Sequence, residues 1–195
     1  MSMDHDPEIE QDLALAIEPD TKDWTWVLES ECPECGFDAA SVDPQEIGAR
    51  TRALGTAWAA VLQRADVRTR PLATVWSPLE YACHVRDVFE LFDRRLELML
   101  TEDGPHFPNW DQDETAVASE YSSQDPATVG AQLVAAAERA AARFDSVADD
   151  QWARTGFRSD GARFTIESFA RYFLHDPVHH LWDVSALTGS AQTSM

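Results

Sequence analysis

Three times along this chain a residue able to cap a helix is followed at once by proline, at Asp43-Pro44, Ser77-Pro78 and Asp125-Pro126. The capping oxygen accepts from a free backbone N–H, and proline at the first helical position lacks only a donor that would be unpaired anyway, so each pair marks a helix start. Glu46 and Glu80 stand three residues beyond their caps, the spacing at which a carboxylate reaches back to the cap's own N–H. Each start opens a stripe of helical period: Ile47, Leu54, Trp58 and Val61, then Tyr81, Val88, Phe92, Arg95 and Met99, then Val129, Leu133, Ala136, Ala140 and Phe144. A fourth stripe, from about Thr165 to Leu187, carries Ser168, Tyr172, His175, His179, Trp182 and Ala186. Four long amphipathic helices predict an all-α four-helix bundle. The stretch from Thr101 to Gln124 is too long for a tight antiparallel turn and predicts a long crossover between the second and third helices. The alanine run from Ala135 to Ala142 reads as ordinary helix propensity.

A chain of 195 residues, 44% apolar, suits one core. The expected division is an acidic tail with a Cys-Pro-Glu-Cys-Gly turn over residues 1–42, the bundle over 43–187 and a short C-terminal tail over 188–195. Fifteen Lys and Arg against 35 Asp and Glu give a formal charge of −20, which repels nucleic acid and anionic membranes. Charge interrupts the apolar runs well before the ~20 residues of a bilayer span. The start from Met1 to Asp12 is acidic rather than signal-like, so a cytoplasmic protein is expected.

Chemistry concentrates in His175-Asp-Pro-Val-His179-His180. Histidines at i and i+4 share a helix face and can chelate one ion. His84 lies on the core-facing side of the second helix and offers a third imidazole. Three buried imidazoles without an ion would leave nitrogens short of partners, at about 1–3 kcal/mol each. His180 is turned about 100° from His179 and reads as a residue behind the ligands or on the surface. Pro177, between the paired histidines, removes a backbone donor and predicts a local distortion. Asp176 stands where a His-Glu-x-x-His metalloprotease has glutamate, but the shorter acid, the proline and the distant third histidine argue against a peptidase.

The segment Trp76-Ser-Pro-Leu-Glu-Tyr-Ala-Cys-His84-Val-Arg-Asp87 resembles the histidine-bearing second helix of DinB-like proteins, and His175 to Asp183 resembles their closing metal-binding helix. The resemblance spans about residues 43–187, including Phe107-Pro-Asn-Trp110-Asp111 and the loop from Trp152 to Phe164. It implies a DinB-like bundle with one divalent ion, zinc or nickel, on His84, His175 and His179. It also implies kinship with mycothiol-dependent maleylpyruvate isomerase and with transferases that use bacillithiol or mycothiol. Three protein nitrogens leave a position for water or substrate, and a thiol held there would be a thiolate, the nucleophilic form. Asp87 and Asp183, one turn beyond His84 and His179, could orient an imidazole or reach substrate. Tyr81, Tyr172 and Trp110 are further candidates for the pocket wall.

Cys32-Pro-Glu-Cys35-Gly36 resembles half of a zinc knuckle, with no second Cys-x-x-Cys to complete it. A separate metal site, a redox pair, a packed pair, or a turn folded over the mouth of the bundle all remain open. Cys83 is turned about 100° from His84 and reads as a buried thiol. Two functions compete: a metal-dependent thiol S-transferase or isomerase acting on a small electrophile, and a non-catalytic metal-binding or stress-response bundle. Expected partners are a small-molecule thiol and its electrophile, with room for a homodimer.

Overall fold

The computed structural model describes residues 17–19 and 22–190, with side chains through Ser185. Most of the acidic tail (residues 1–16) and the last five residues lie outside the described residues.

All three proline starts are capped. Ser77 opens α2 (Pro78–Thr101) with a reciprocal pair: its Oγ accepts from the Glu80 N–H at 3.3 Å, and Glu80 Oε2 accepts from the Ser77 N–H at 2.8 Å. Asp125 opens α4 (Pro126–Asp145) by accepting from the Thr128 N–H at 2.9 Å. At Asp43 the expected pairing with Glu46 does not form. The first turn, Pro44–Glu46, is a tight 3₁₀ turn in which Asp43 accepts from Gln45, and Glu46 instead pairs with Arg50 at 2.8 Å before α1 (Ile47–Val61) begins. A reciprocal box there would bring two carboxylates together, whereas the Ser77 cap is neutral.

The long crossover is present and structured. It contains α3 (Gln112–Ala118), capped by Asp111, and a 3₁₀ turn at Tyr121–Ser123. After α4 a two-stranded antiparallel hairpin, β1 (Thr155–Phe157) and β2 (Arg163–Thr165), pairs Gly156 with Phe164 and leads directly into α5 (Ile166–Ser190). Round the bundle the order is α1, α4, α2, α5, so the first two long helices are diagonal rather than neighbouring. Phenylalanines fill the centre, where Phe173 meets Phe89 at 5.7 Å and Phe144 at 5.4 Å between ring centroids.

The alanine run does more than favour helix. Ala136, Ala137, Ala140 and Ala141 are buried, and a Cβ on Gly55 of α1 would stand 2.7 Å from that of Ala137. Small residues thus let α1 and α4 approach at backbone distance. Pro177 does not end α5, and its carbonyl accepts from the buried Trp58 Nε1 at 3.1 Å. The fourth long helix runs three residues past the Leu187 at which its stripe was expected to end, continuing to Ser190.

Glu80 is 3% exposed and carries the start of α2, bonded to Ser77 and, at 3.0 Å, to Arg70 Nε. Burial pushes its carboxyl up, but the Arg70 guanidinium and the Ser77 donors together hold it below the usual carboxylate range. A depressed folded value gives stability that is present above the ordinary value near 4.5 and is lost as pH falls through the folded one. Glu80→Gln should therefore cost about 1–3 kcal/mol at neutral pH, and urea titrations should show the gap closing as pH falls below 4.5. A gap of constant size across that range would count against the charged pair.

Candidate functional site

Consecutive positions on α5 bear His175 and Asp176, and one turn later His179 and His180. One residue along a helix is about 100° of rotation, so the two i, i+4 pairs look in different directions. The His175/His179 pair faces the N-terminal segment, where their donor atoms and those of Cys32 and Cys35 all lie within 4.8 Å of one another. The Asp176/His180 pair faces α2, where the same limit groups its donors with His84.

The three histidines expected to share one ion are thus divided between two groups. His175 and His179 come together as expected, while His84 meets Asp176 and His180 instead. The reason is the phase of α5: the face one residue on from the His175/His179 stripe is the one turned toward α2. Asp176 was not among the expected ligands. The signal was there, because Asp176-x-x-x-His180 repeats the ligand spacing of His175-x-x-x-His179 one step later.

His84 is fully buried, and neither ring nitrogen has a hydrogen-bond partner. Its Nε2 lies 3.4 Å from Asp176 Oδ1, which is also buried without a hydrogen bond. His180 Nε2 stands 4.0 Å from the same carboxylate oxygen, while its Nδ1 is 2.8 Å from Asp183 Oδ2. Donation from Nδ1 to Asp183 leaves the Nε2 lone pair facing Asp176, the arrangement that prepares an imidazole to hold a metal. Burial alone would push the Asp176 carboxyl up; the neighbouring imidazoles, His84 foremost, hold it below the usual range. Orphaned, converging nitrogen and oxygen donors fit a divalent cation.

The remaining candidates have varied surroundings. Trp110 stacks on His84 at 5.5 Å and 17°, Tyr81 packs against His180 at 4.9 Å, and Tyr172 accepts from Arg158 at 3.2 Å. Asp87 does not serve an imidazole, because its carboxylate accepts from Tyr121 Oη and from Arg86 Nε. Asp183 supports His180 rather than acting chiefly on His179, from which it is 3.9 Å. All but Asp87 of these line one cleft of about 900 Å³, together with Asp176, His180 and Arg95.

Arg95 is a second residue the sequence reading did not assign to the site, although a cation on an apolar stripe was its signal. It is 9% exposed and its Nε has no hydrogen-bond partner. Burial lowers its pKa to about 10. Nη2 donates to the Pro108 carbonyl at 3.1 Å, and the guanidinium lies over the rings of Phe107 and Phe92.

The DinB superfamily pattern matches residues 48–184, most of the chain. The chain belongs to the DinB superfamily. This DinB protein is also similar to a solved structure described as "YfiT from Bacillus subtilis is a probable metal-dependent hydrolase with an unusual four-helix bundle topology". The two share 16% identity with a TM-score of 0.68, over 90% of this chain and 94% of that one, a likeness of fold. No curated protein matches the chain in sequence. No helix among the described residues is long and apolar enough to cross a membrane.

Cys83, one residue before His84, is fully buried, and burial pushes its thiol up to about 12. It is a packing residue rather than a nucleophile. Mass mapping after iodoacetamide treatment at mildly alkaline pH should find Cys83 unmodified in the folded protein and alkylated after denaturation. Rapid native modification would overturn this assignment.

Proposed function

We propose that the protein is a metal-dependent enzyme that adds a low-molecular-weight thiol to a small electrophile, working in the cleft at His84, Asp176 and His180. The observation that carries this reading is the convergence of orphaned His84 and Asp176 atoms with a pre-oriented His180, with His84 buried beneath the cleft and Asp176 and His180 on its wall. Two imidazoles and one carboxylate leave a divalent ion with positive charge to spare and with open positions, as catalytic sites require. A divalent ion there supplies Lewis acidity and holds a bound thiol or water in its deprotonated form. Zinc or nickel suits the donors, as does iron.

The protein's own residues do the rest. Asp183 fixes the His180 ring, and the Trp110 ring covers His84 from one side. Arg95, desolvated and with a donor to spare, suits a carboxylate on the electrophile, which would complete its hydrogen bonding. The cleft, about 900 Å³, has room for both a thiol and its electrophile. In the transfer the thiol's proton passes to solvent, the sulfur forms a bond to the electrophilic carbon, and the displaced group leaves with its bonding pair. Where the electrophile is an activated alkene, addition and loss of the same thiol produce isomerisation instead.

A second reading, hydrolysis with water as the nucleophile, is favoured by the likeness to YfiT, itself described as a probable metal-dependent hydrolase. The experiment is a screen of carboxylate-bearing electrophiles with mycothiol, bacillithiol, glutathione or no added thiol, before and after chelation and after metal is restored. Thiol-dependent turnover should vanish on chelation, return with metal and be absent in His84→Ala and Asp176→Ala. Arg95→Met should raise KM for anionic substrates by about 10-fold or more, the loss of one charge-assisted contact. Turnover without thiol would favour the hydrolase, and bound metal without any turnover would favour a non-catalytic bundle.

A further inference from the structure

The function proposed above uses one of the two donor groups on α5 and leaves the other without a role. Cys32 and Cys35 sit in a short turn closed by bonds from the Gly36 N–H to the Cys32 carbonyl at 2.8 Å and from the Cys32 N–H to the Phe37 carbonyl at 2.9 Å. Gly36 has φ of 71°, a conformation that favours glycine and lets the chain fold back behind the second sulfur. This turn lies against α5 with Cys32 Sγ 3.7 Å from His179 Nδ1.

We propose that Cys32, Cys35, His175 and His179 form a closed Cys₂His₂ zinc site, distinct from the His84/Asp176/His180 group, that fastens the N-terminal segment to α5. Four donors, two sulfur and two nitrogen, all fall within 4.8 Å of one another. In tetrahedral zinc, bonds of about 2.0–2.3 Å set donors about 3.3–3.8 Å apart, so a contraction of about 1 Å completes the shell.

Each histidine presents a nitrogen suited to the role. His179 turns Nδ1 to Cys32, while its Nε2 lies 3.3 Å from Glu34 Oε2. A carboxylate behind the ring fixes the Nε2–H tautomer and frees Nδ1 for an ion. Glu34 comes from the turn itself, between the two cysteines. His175 is 4% exposed, and its Nε2 is buried without a hydrogen-bond partner. Trp24 packs on both imidazoles at 5.2 and 4.9 Å, and Phe37 packs edgewise on His175 at 5.6 Å, so aromatic rings flank the donors where His175 and His179 border the cleft.

Charge separates this site from its neighbour. On binding, each thiol releases its proton to solvent, and two thiolates cancel a divalent charge. The assembly is neutral and four-coordinate, which suits burial and leaves no position for substrate. The other group, with a single carboxylate, retains charge and open positions. One helix turn therefore carries a structural site and a reactive one, about 100° apart.

The test uses the full-length His84→Ala/His180→Ala variant, which leaves only the proposed site. Loaded with cobalt(II), it should show thiolate-to-cobalt charge transfer and intense tetrahedral ligand-field bands. Loaded with zinc, it should give an X-ray absorption fine structure of two sulfur and two nitrogen neighbours. Cys32→Ser/Cys35→Ser in the wild-type background should lose the charge-transfer band, and bound zinc should fall from two ions per chain to one. The absorption measurement needs no cysteine variant, so a misfolded double serine protein leaves the decision intact. A cobalt spectrum without charge transfer, a zinc shell lacking sulfur, or alkylation of both cysteines in the zinc-loaded protein would overturn the site. None of these readouts depends on turnover, so they separate this inference from the proposed activity.

Discussion

The buried Trp58 indole donates to the Pro177 carbonyl, and that bond falls on the turn of α5 where the two donor pairs overlap. It matters because the pairs differ by one residue and hence by about 100°. A helix free to rotate about its axis by that amount would exchange their directions. Trp58 belongs to α1, across from the N-terminal turn and from α2, and so contributes to fixing which pair meets which partner. Proline suits the position twice over, since its carbonyl accepts from Trp58 and the Phe173 carbonyl one turn earlier loses its usual donor without ending the helix.

The same phase explains the electrostatics. A chain with a formal charge of −20 surrounds these groups, yet the interior near the cleft is short of compensating negative charge at Arg95 and short of hydrogen bonds at His84, His175 and Asp176. Such deficits are rare in cores because burial makes them costly. Apart from Trp152 Nε1, those among the described residues gather around the middle of α5 and in the adjoining cleft, where ligands can relieve them. His175, lowered to about 4 by burial and then by the neighbouring His179, stays a neutral imidazole, the form that can donate a lone pair.

Much of the fold was legible because the signals were local. Cap-proline pairs and helical stripes placed all four long helices, and the length of the Thr101–Gln124 connection announced the crossover. The Glu46 reciprocal cap was misjudged because spacing does not register the charge of its partner. The alanine run was read as propensity because its true role needs Gly55 on another helix. The site was half legible: i, i+4 spacing joined His175 to His179, and the resemblance brought in His84. What no spacing rule supplies is the rotation of α5 against α2, which decides that His84 faces Asp176 and His180. The cysteine turn likewise looked incomplete because its remaining donors lie more than a hundred residues away.

The contact of Gly55 with Ala137 bears on how this bundle can move. Where backbones touch, there is no layer of side chains to change rotamer, so sliding one helix past the other meets immediate repulsion. Between α2 and α5 the filler is phenylalanine, with Phe89 and Phe92 against Phe169 and Phe173. Such rings accommodate small shifts by tilting. The molecule thus has a tightly apposed side and a cushioned one, and the cleft opens on the cushioned side, where a change in its width can be absorbed without disturbing the seam that holds the bundle in register.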